Sequence, residues 1–205
     1  MMNIAIIRER KGITLVELVV VISIIGILAA IGVPEYGRFV AKSEVKRAAN
    51  DLMQNMRLAR TLAIKENRTY LITFNTVANT YRIGFDGNND GDLLDATADG
   101  FNGAVGEVRV INIQNEYGND IVLGSGTFAI TPLNGPNNVD ITVNATNFNF
   151  LSDGSTSTNG IVYLQHIGRG YVYCVEFVNA AGLINLFMWD GEAGNPDDTG
   201  WTEIR

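Results

Sequence analysis

The chain has 205 residues, of which 46% are hydrophobic and 18% are charged, and its formal net charge is −7. This composition excludes an intrinsically disordered chain. The length leaves room for one globular domain with its own core beside a membrane-length helix. Cys174 is the only cysteine, which excludes an intramolecular disulfide, and its neighbours Tyr173 and Val175 predict a buried thiol.

The charge is distributed unevenly along the chain. Residues 34–68 carry eight basic and four acidic side chains, whereas residues 69–205 carry four basic and sixteen acidic side chains. The later region therefore has a net charge of −12 and repels nucleic-acid phosphates overall. This net charge does not exclude a local basic patch. We interpret the basic run of residues 34–68 as a solvated helix face, so a nucleic-acid partner is not expected.

The first element is an apolar segment, residues 13–33, whose 21 residues include one charge, Glu17. A helix of this length spans a bilayer core of about 30 Å. Arg8, Arg10 and Lys11 precede it and predict that the rest of the chain lies outside the cytoplasm. The apolar run is too long for an ordinary secretory signal peptide. A plain membrane anchor leaves Glu17 unexplained, since a carboxylate in such a helix usually marks a function.

Lys11-Gly12 followed by the run from Ile13 to Leu18 (ITLVEL) resembles the processing site of type IV pilins and type II secretion pseudopilins. The resemblance implies cleavage after Gly12 by a prepilin peptidase, N-methylation of Ile13, and a role for Glu17 in filament assembly. It also implies a single-pass protein of the inner (cytoplasmic) membrane with a periplasmic head, and partners among other pilins and the inner-membrane assembly platform. Isoleucine stands at position 13, where most members have phenylalanine.

The physical chemistry of the segment agrees with that assembly role. The α-amino group of one mature subunit and the Glu17 carboxylate of a neighbour form a charge pair in an apolar filament core. Two buried charges that neutralise each other are tolerated, whereas one alone is costly.

Beyond the apolar segment, Pro34 predicts a kink in the helix because it removes a backbone donor. Apolar residues then recur at three- and four-residue steps from Ala41 to Ala63, which predicts an amphipathic helix packed on a sheet. The chain is thus divided into a leader (1–12), a transmembrane and filament-core helix (13–33), an amphipathic helix (34–68) and a β-rich head (69–205). One helix is expected from about residue 13 to about residue 65.

After Arg68 the pattern changes to β-strands separated by Gly- and Asn-rich turns. We predict strands at residues 70–74, 81–85, 105–111, 127–130, 139–143, 161–164, 171–177 and 183–189. Antiparallel pairing is expected because no further helix is long enough for parallel crossovers. The predicted fold class is α+β, with a long N-terminal helix packed on an antiparallel β-sandwich-like head.

A second resemblance concerns the head. Residues 52–75 are similar to the helix-to-first-strand segment of the GspH/FimT group of minor pilins and pseudopilins. The segments FNFLSDG (148–154) and GIVYL (160–164) resemble later strands of the same group. Members are low-abundance subunits thought to sit at or near the filament tip, which implies that this chain primes or caps a filament.

Two places in the head carry residue types that are found in catalytic or metal sites. His166 is the only histidine and has no nucleophile or carboxylate at a telling spacing, so a structural or surface role is expected and no enzyme is predicted. Asp86, Asn88, Asp90 and Asp92 follow the alternating rhythm of a calcium loop, with Gly91 at the sharp turn. Thr97 stands where the bidentate glutamate is expected, and Asp95 or Asp99 is a substitute for it. The alternative is an acidic hairpin loop without a metal.

The leading interpretation is a structural subunit of a type II secretion pseudopilus or a type IV pilus. The alternative is a FimT-like DNA-binding minor pilin in natural transformation, whose members carry an arginine-rich G-R-x-R element late in the head. Here Gly182 is followed by Leu183 and Ile184 without arginine, and the segment 168–170 supplies Arg169 alone. The acidic stretch at residues 190–198 is interpreted as a solvated loop.

Overall fold

The computed structural model describes residues 12–124, 139–141, 147–156, 160–178, 182–189 and 200–204. It divides the chain into two compact units, one ending at Phe39 and one running from Val40 to Arg205. The first element is the helix α1, Leu15–Glu66, which has 52 residues and contains Pro34. The long helix expected from the sequence is therefore confirmed, and its ends lie within two residues of the expected ones.

The described strands of the second unit form two six-stranded sheets. The first sheet has the order β4-β3-β2-β1-β8, with β5 also paired to β2. All its pairings are antiparallel, and its central pair joins Tyr70 to Phe85 and Ile72 to Ile83. Its strands are β1 (Tyr70–Asn75), β2 (Thr80–Phe85), β3 (Gly100–Phe101), β4 (Ala104–Val105), β5 (Arg109–Asn112) and β8 (Asn147–Phe150).

The second sheet has the order β12-β11-β10-β9-β6, with β7 also paired to β9. A short helix, α2 (Ile113–Tyr117), precedes β6. The pairing of β7 with β9 is parallel and the others in this sheet are antiparallel. Its strands are β6 (Ile121–Leu123), β7 (Val139–Ile141), β9 (Gly160–His166), β10 (Val172–Val178), β11 (Leu183–Trp189) and β12 (Trp201–Ile204).

The main core of this unit lies between α1 and the inner faces of both sheets. The rings of Phe148 in β8 and Phe177 in β10 stack at 4.5 Å, which joins the two sheets. The helix buries five alanines, of which Ala48, Ala59 and Ala63 are fully buried, together with larger side chains such as Leu52 and Met56. The alanines let the helix backbone approach the sheets closely, and the aromatic side chains of the strands fill the space beside them. The α+β fold class is thereby confirmed.

Several strand predictions need correction. The strand predicted at residues 105–111 is instead two short strands, β4 and β5, because Gly106 adopts a positive φ of 85° and turns the chain between them. Antiparallel pairing is correct except for β7 with β9. The helix α2 and the strands β3, β6 and β12 were not predicted. The predicted strand at 127–130, the second half of that at 139–143 and the loop at 190–198 lie outside the described residues.

Candidate functional site

The N-terminal end of α1 holds the residues implicated in filament assembly. Thr14 precedes the helix, and its backbone N–H and hydroxyl both donate to Glu17 Oε2, at 2.8 and 2.9 Å. The Glu17 backbone N–H in turn donates to Thr14 Oγ1 at 3.2 Å. This is a capping box, in which the first helical turn satisfies its own free N–H groups. The T-x-x-E spacing of Thr14 and Glu17 is a sequence signal from which this cap could have been predicted.

The helix residues that follow are apolar and exposed. Sixteen large hydrophobic side chains between Ile13 and Phe39 are exposed in the isolated chain, with Leu18 at 55% and Ile24 at 52%. Within the described part of the chain, α1 is the one helix whose length and composition suit a membrane crossing. Exposed aliphatic surface on this scale needs a lipid or protein cover. Pro34 lies inside the continuous helix, and the kink stays a prediction.

The basic run of α1 has a more specific role than the sequence indicated. The Arg47 side chain donates to the Glu116 backbone oxygen at 2.7 Å and lies over the Tyr117 ring. The Arg68 guanidinium lies 4.7 Å from the centre of the Phe85 ring. Arg47 and Arg68 are nevertheless exposed, as expected of a solvated face, and each also contacts a residue of the head.

Arg60 is the third arginine that contacts the head. Its Nε donates to the Gly154 backbone oxygen at 2.9 Å. A Cβ added at Gly182 would lie 3.0 Å from the same Nε, and one added at Gly154 would lie 2.7 Å from Ile64. Both glycines have positive φ and sit against the helix, so their turns approach it more closely than other residues allow.

The candidate calcium loop connects β2 to β3. Asp86 accepts hydrogen bonds from the backbone N–H groups of Asp90 and Gly91, and Asn88 donates to Asp90 Oδ2. Asp92 accepts from the Leu94 backbone N–H. The side-chain oxygens thus bind the loop's own amides, as in Asx turns.

The loop closes on a fully buried carboxylate, Asp99. Its two oxygens accept hydrogen bonds from the backbone N–H groups of Gly87 and Asp95. No group of three or more His, Cys, Asp or Glu side chains in the described ranges is arranged to hold a metal ion. Hydrogen bonds therefore account for the geometry of the loop, and calcium binding stays a prediction.

The remaining candidates lie in the second sheet and its turns. His166 is buried at the end of β9, and its Nδ1 accepts a hydrogen bond from the Gly168 backbone N–H at 3.2 Å. Its Nε2 lies 3.9 Å from Asp120. Cys174 is fully buried in β10, as predicted. Arg169 lies in the turn after β9, where its backbone N–H donates to the His166 oxygen. The histidine thus has the structural role expected of it.

Comparison with known families matches two parts of the chain. Residues 48–182, more than half of the sequence, match the family described as Type II transport protein GspH. Residues 7–33 match the Prokaryotic N-terminal methylation motif. The motif includes Gly12, Ile13 and Glu17. The chain belongs to the GspH family of type II transport proteins.

Individual relatives match over part of the chain. A Fimbrial protein of Pseudomonas aeruginosa is 37% identical over 78 residues, which is 38% of this chain and 50% of that protein. The Type IV major fimbrial protein FimA of Dichelobacter nodosus is 49% identical over 45 residues, 22% of this chain and 29% of that protein. The chain therefore spans half or less of the length of these relatives.

Among solved structures, the minor pseudopilin EpsH from the Type 2 Secretion System of Vibrio cholerae is similar. It is 14% identical, and the match has a TM-score of 0.46 over 73% of this chain and 99% of that chain.

Proposed function

We propose that this protein is a structural, pilin-like subunit that assembles into a filament, either a type II secretion pseudopilus or a type IV pilus, and primes or caps it. One observation carries the proposal. The same helix has an N-terminal half of exposed aliphatic side chains and a C-terminal half buried in a folded head. Neighbouring helices of a filament provide the cover that the first half needs, and the GspH family and the N-terminal methylation motif support the same role.

The route into the filament follows from the start of the helix. A prepilin peptidase cleaves between Gly12 and Ile13, Ile13 is N-methylated, and the helix holds the subunit in the inner membrane with its head on the periplasmic side. The inner-membrane assembly platform then moves the subunit into the filament. There the Glu17 carboxylate of one subunit pairs with the α-amino group of the next, which neutralises both charges in an apolar core.

The proposed role is non-enzymatic and does not involve DNA. Its partners are other pilin-like subunits. In the residues that the structure describes, Arg47, Arg60 and Arg68 of the basic run contact the head of their own chain. The net charge of −12 over residues 69–205 also disfavours nucleic acid.

Processing is the first test of the proposal. A Cβ added at Gly12 meets no atom within 4 Å, so Gly12→Val leaves the fold unstrained and acts on the peptidase step. We expect the variant to accumulate as a full-length precursor in membranes, whereas the parent begins at Ile13 by N-terminal sequencing. Gly26→Val is the matched control, since Gly26 is equally open and lies in the same apolar run. A mature protein that begins elsewhere contradicts the assignment.

A further inference from the structure

The solvent-facing side of α1 in the head carries basic charge alone. Every exposed charged side chain between residues 40 and 66 is basic. We call four of them, Lys42, Lys46, Arg57 and Lys65, the basic stripe. By helix geometry they fall within an arc of about 140° and extend over about 35 Å of the helix. The stripe is therefore long enough to meet an extended surface and not only a single small anion.

The acidic side chains of the same helix segment do not neutralise the stripe. Glu44, Asp51 and Glu66 are half-buried. Glu66 Oε2 accepts a hydrogen bond from the Tyr70 hydroxyl at 2.8 Å, and a Cβ added at Gly118 would lie 3.5 Å from Glu44 Oε2. Within the described residues, the side chains of the basic stripe make no ion pair and no hydrogen bond. The helix thus keeps its acids toward the head and leaves its unpaired cations for a partner.

Two aliphatic side chains are exposed beside these cations. Leu58 is 36% exposed and Ile64 is 51% exposed, and each is next in the chain to a residue of the basic stripe. Apolar side chains among polar ones are typical of protein interfaces, whereas nucleic-acid phosphates are contacted by basic and polar groups. The composition of this surface therefore favours an acidic protein partner over a nucleic acid.

We propose that the basic stripe binds an acidic face on a neighbouring, different pilin-like subunit of the filament. The inference rests on the proposed function, which places α1 against neighbouring subunits. A subunit that primes or caps a filament has other pilin-like proteins as its neighbours, so the occupant is not a second copy of this chain. Complementary charge steers the two surfaces together, and like charge rejects a wrong neighbour. The stripe thus selects which subunit lies beside this one.

Charge reversal in the full chain tests the contact. Lys46→Glu with Arg57→Glu should lower the ratio of filament to membrane protein by about tenfold, because like charges then face each other. The charge-conserving pair Lys46→Arg with Arg57→Lys should keep the parental ratio. Arg109→Glu with Arg169→Glu is the matched control, since it makes the same change in net charge at exposed positions outside α1. A control that is depleted as strongly as the stripe variant overturns the inference.

A photo-cross-linking residue in place of Thr61 identifies the occupant. Thr61 is exposed and lies one helical turn from both Arg57 and Lys65. In sheared filaments we expect an adduct to a different pilin-like subunit, identified by mass spectrometry, and its loss when Lys46→Glu and Arg57→Glu are added. An adduct to a second copy of this chain, or to a protein outside the filament, overturns the assignment.

Nucleic acid is the competing polyanion and has its own test. The full chain in detergent is mixed with a short DNA duplex at physiological salt, and we expect no complex, since the few cations of the stripe give weak, salt-sensitive binding. A complex that Lys46→Glu with Arg57→Glu abolishes would assign the stripe to nucleic acid and overturn the proposal.

The outcomes separate this inference from the proposed function. If the parent enters filaments and the stripe variant enters equally well, the stripe contact alone is wrong. If the parent does not enter filaments at all, the proposed function fails first.

Discussion

The two halves of α1 have the same secondary structure and opposite surroundings. From Leu15 to Phe39 the helix is built of large aliphatic residues, and nearly all of it is exposed in the isolated chain. From Val40 to Glu66 it carries alanines and methionines on one face, and these are buried in the head. The difference shows that two parts of one helix can be buried by different surfaces. The strands of the head bury the second half, whereas the first half is left for lipid or neighbouring subunits to cover under the proposed function.

This contrast has a physical basis in side-chain size. A helix that is covered on every side, in a membrane or a filament core, can carry Val, Ile and Leu on all its faces. Where the second half packs against Tyr and Phe residues of the sheets, alanines such as Ala48 and Ala59 leave room for those rings, and Leu52 and Met56 fill the remaining space. Substitutions that change charge or volume in one half should therefore have little effect in the other.

The largest expected effect is on assembly and comes from the first half. Glu17→Ala removes the carboxylate that pairs with the neighbour's amino group and should deplete the protein from sheared filaments by more than about tenfold, since an unpaired buried charge costs several kcal/mol. Membrane levels and the folding of the head should not change. The measurement is the ratio of filament to membrane protein by immunoblot. Incorporation equal to the parent would contradict the charge pair.

The second prediction compares the two halves of α1 by making the same Ala-to-Leu change in each. Ala59→Leu adds volume at a fully buried position and should lower the free energy of unfolding of the head by about 1–3 kcal/mol. Ala29→Leu is the matched change in the exposed half and should leave that free energy unchanged. Urea unfolding of the full chain in detergent, followed by fluorescence of Trp189 and Trp201, measures both. Equal effects would show that the halves are not independent.

A third prediction concerns a buried polar contact that only the second half makes. Asn55 Nδ2 donates to the Tyr81 hydroxyl at 2.7 Å, and both residues are buried. Tyr81→Phe leaves the amide without this partner and should cost about 1–3 kcal/mol of unfolding free energy. Adding Asn55→Leu should recover part of that loss, because two apolar partners need no hydrogen bond. A double variant no better than the single one would assign the cost to something else.

Ionisation of Tyr81 should make the unfolding free energy of the head depend on pH. Burial raises the pKa of Tyr81 to about 12, from an ordinary value of 10.0. Its neutral form is thus favoured in the folded state, so this contribution to stability is complete below pH 10 and is lost as the pH rises through about 12. Unfolding free energy should fall over that range, and the decline should be shallower in Tyr81→Phe. An identical decline would assign the titration to other tyrosines.

The smallest expected effect is that of calcium on the β2–β3 loop. We propose that Asp86, Asn88, Asp90 and Asp92 bind calcium weakly, because the three carboxylates already accept loop hydrogen bonds, one of them from the Asn88 amide. Binding to the folded state raises stability by about 2.7 kcal/mol at a hundred times the dissociation constant, so a weak site shifts the melting temperature slightly. Melts in chelator and in millimolar calcium measure it. A shift that persists in Asp90→Ala would place the ion elsewhere.

The sequence by itself determined the class of the protein and the long helix α1. Glycine, the apolar run and Glu17 are local signals, and the three- and four-residue spacing from Ala41 to Ala63 follows directly from helix geometry. The strand β11, a nearly continuous run of large apolar residues, was predicted with the bounds that the structure has. Local propensity and periodicity are sufficient to predict a segment whose structure depends on its own residues and not on distant ones.

Tertiary structure decided what depends on residues far apart in the chain. The turn at Gly106 splits a stretch rich in β-branched residues, and β12 forms because β11 offers it an edge. Arg60 meets Gly154 across 94 residues, and Ile64 comes opposite Leu183 only when helix and sheet pack. No spacing in a sequence encodes such contacts, because they are set by the packing of separate elements.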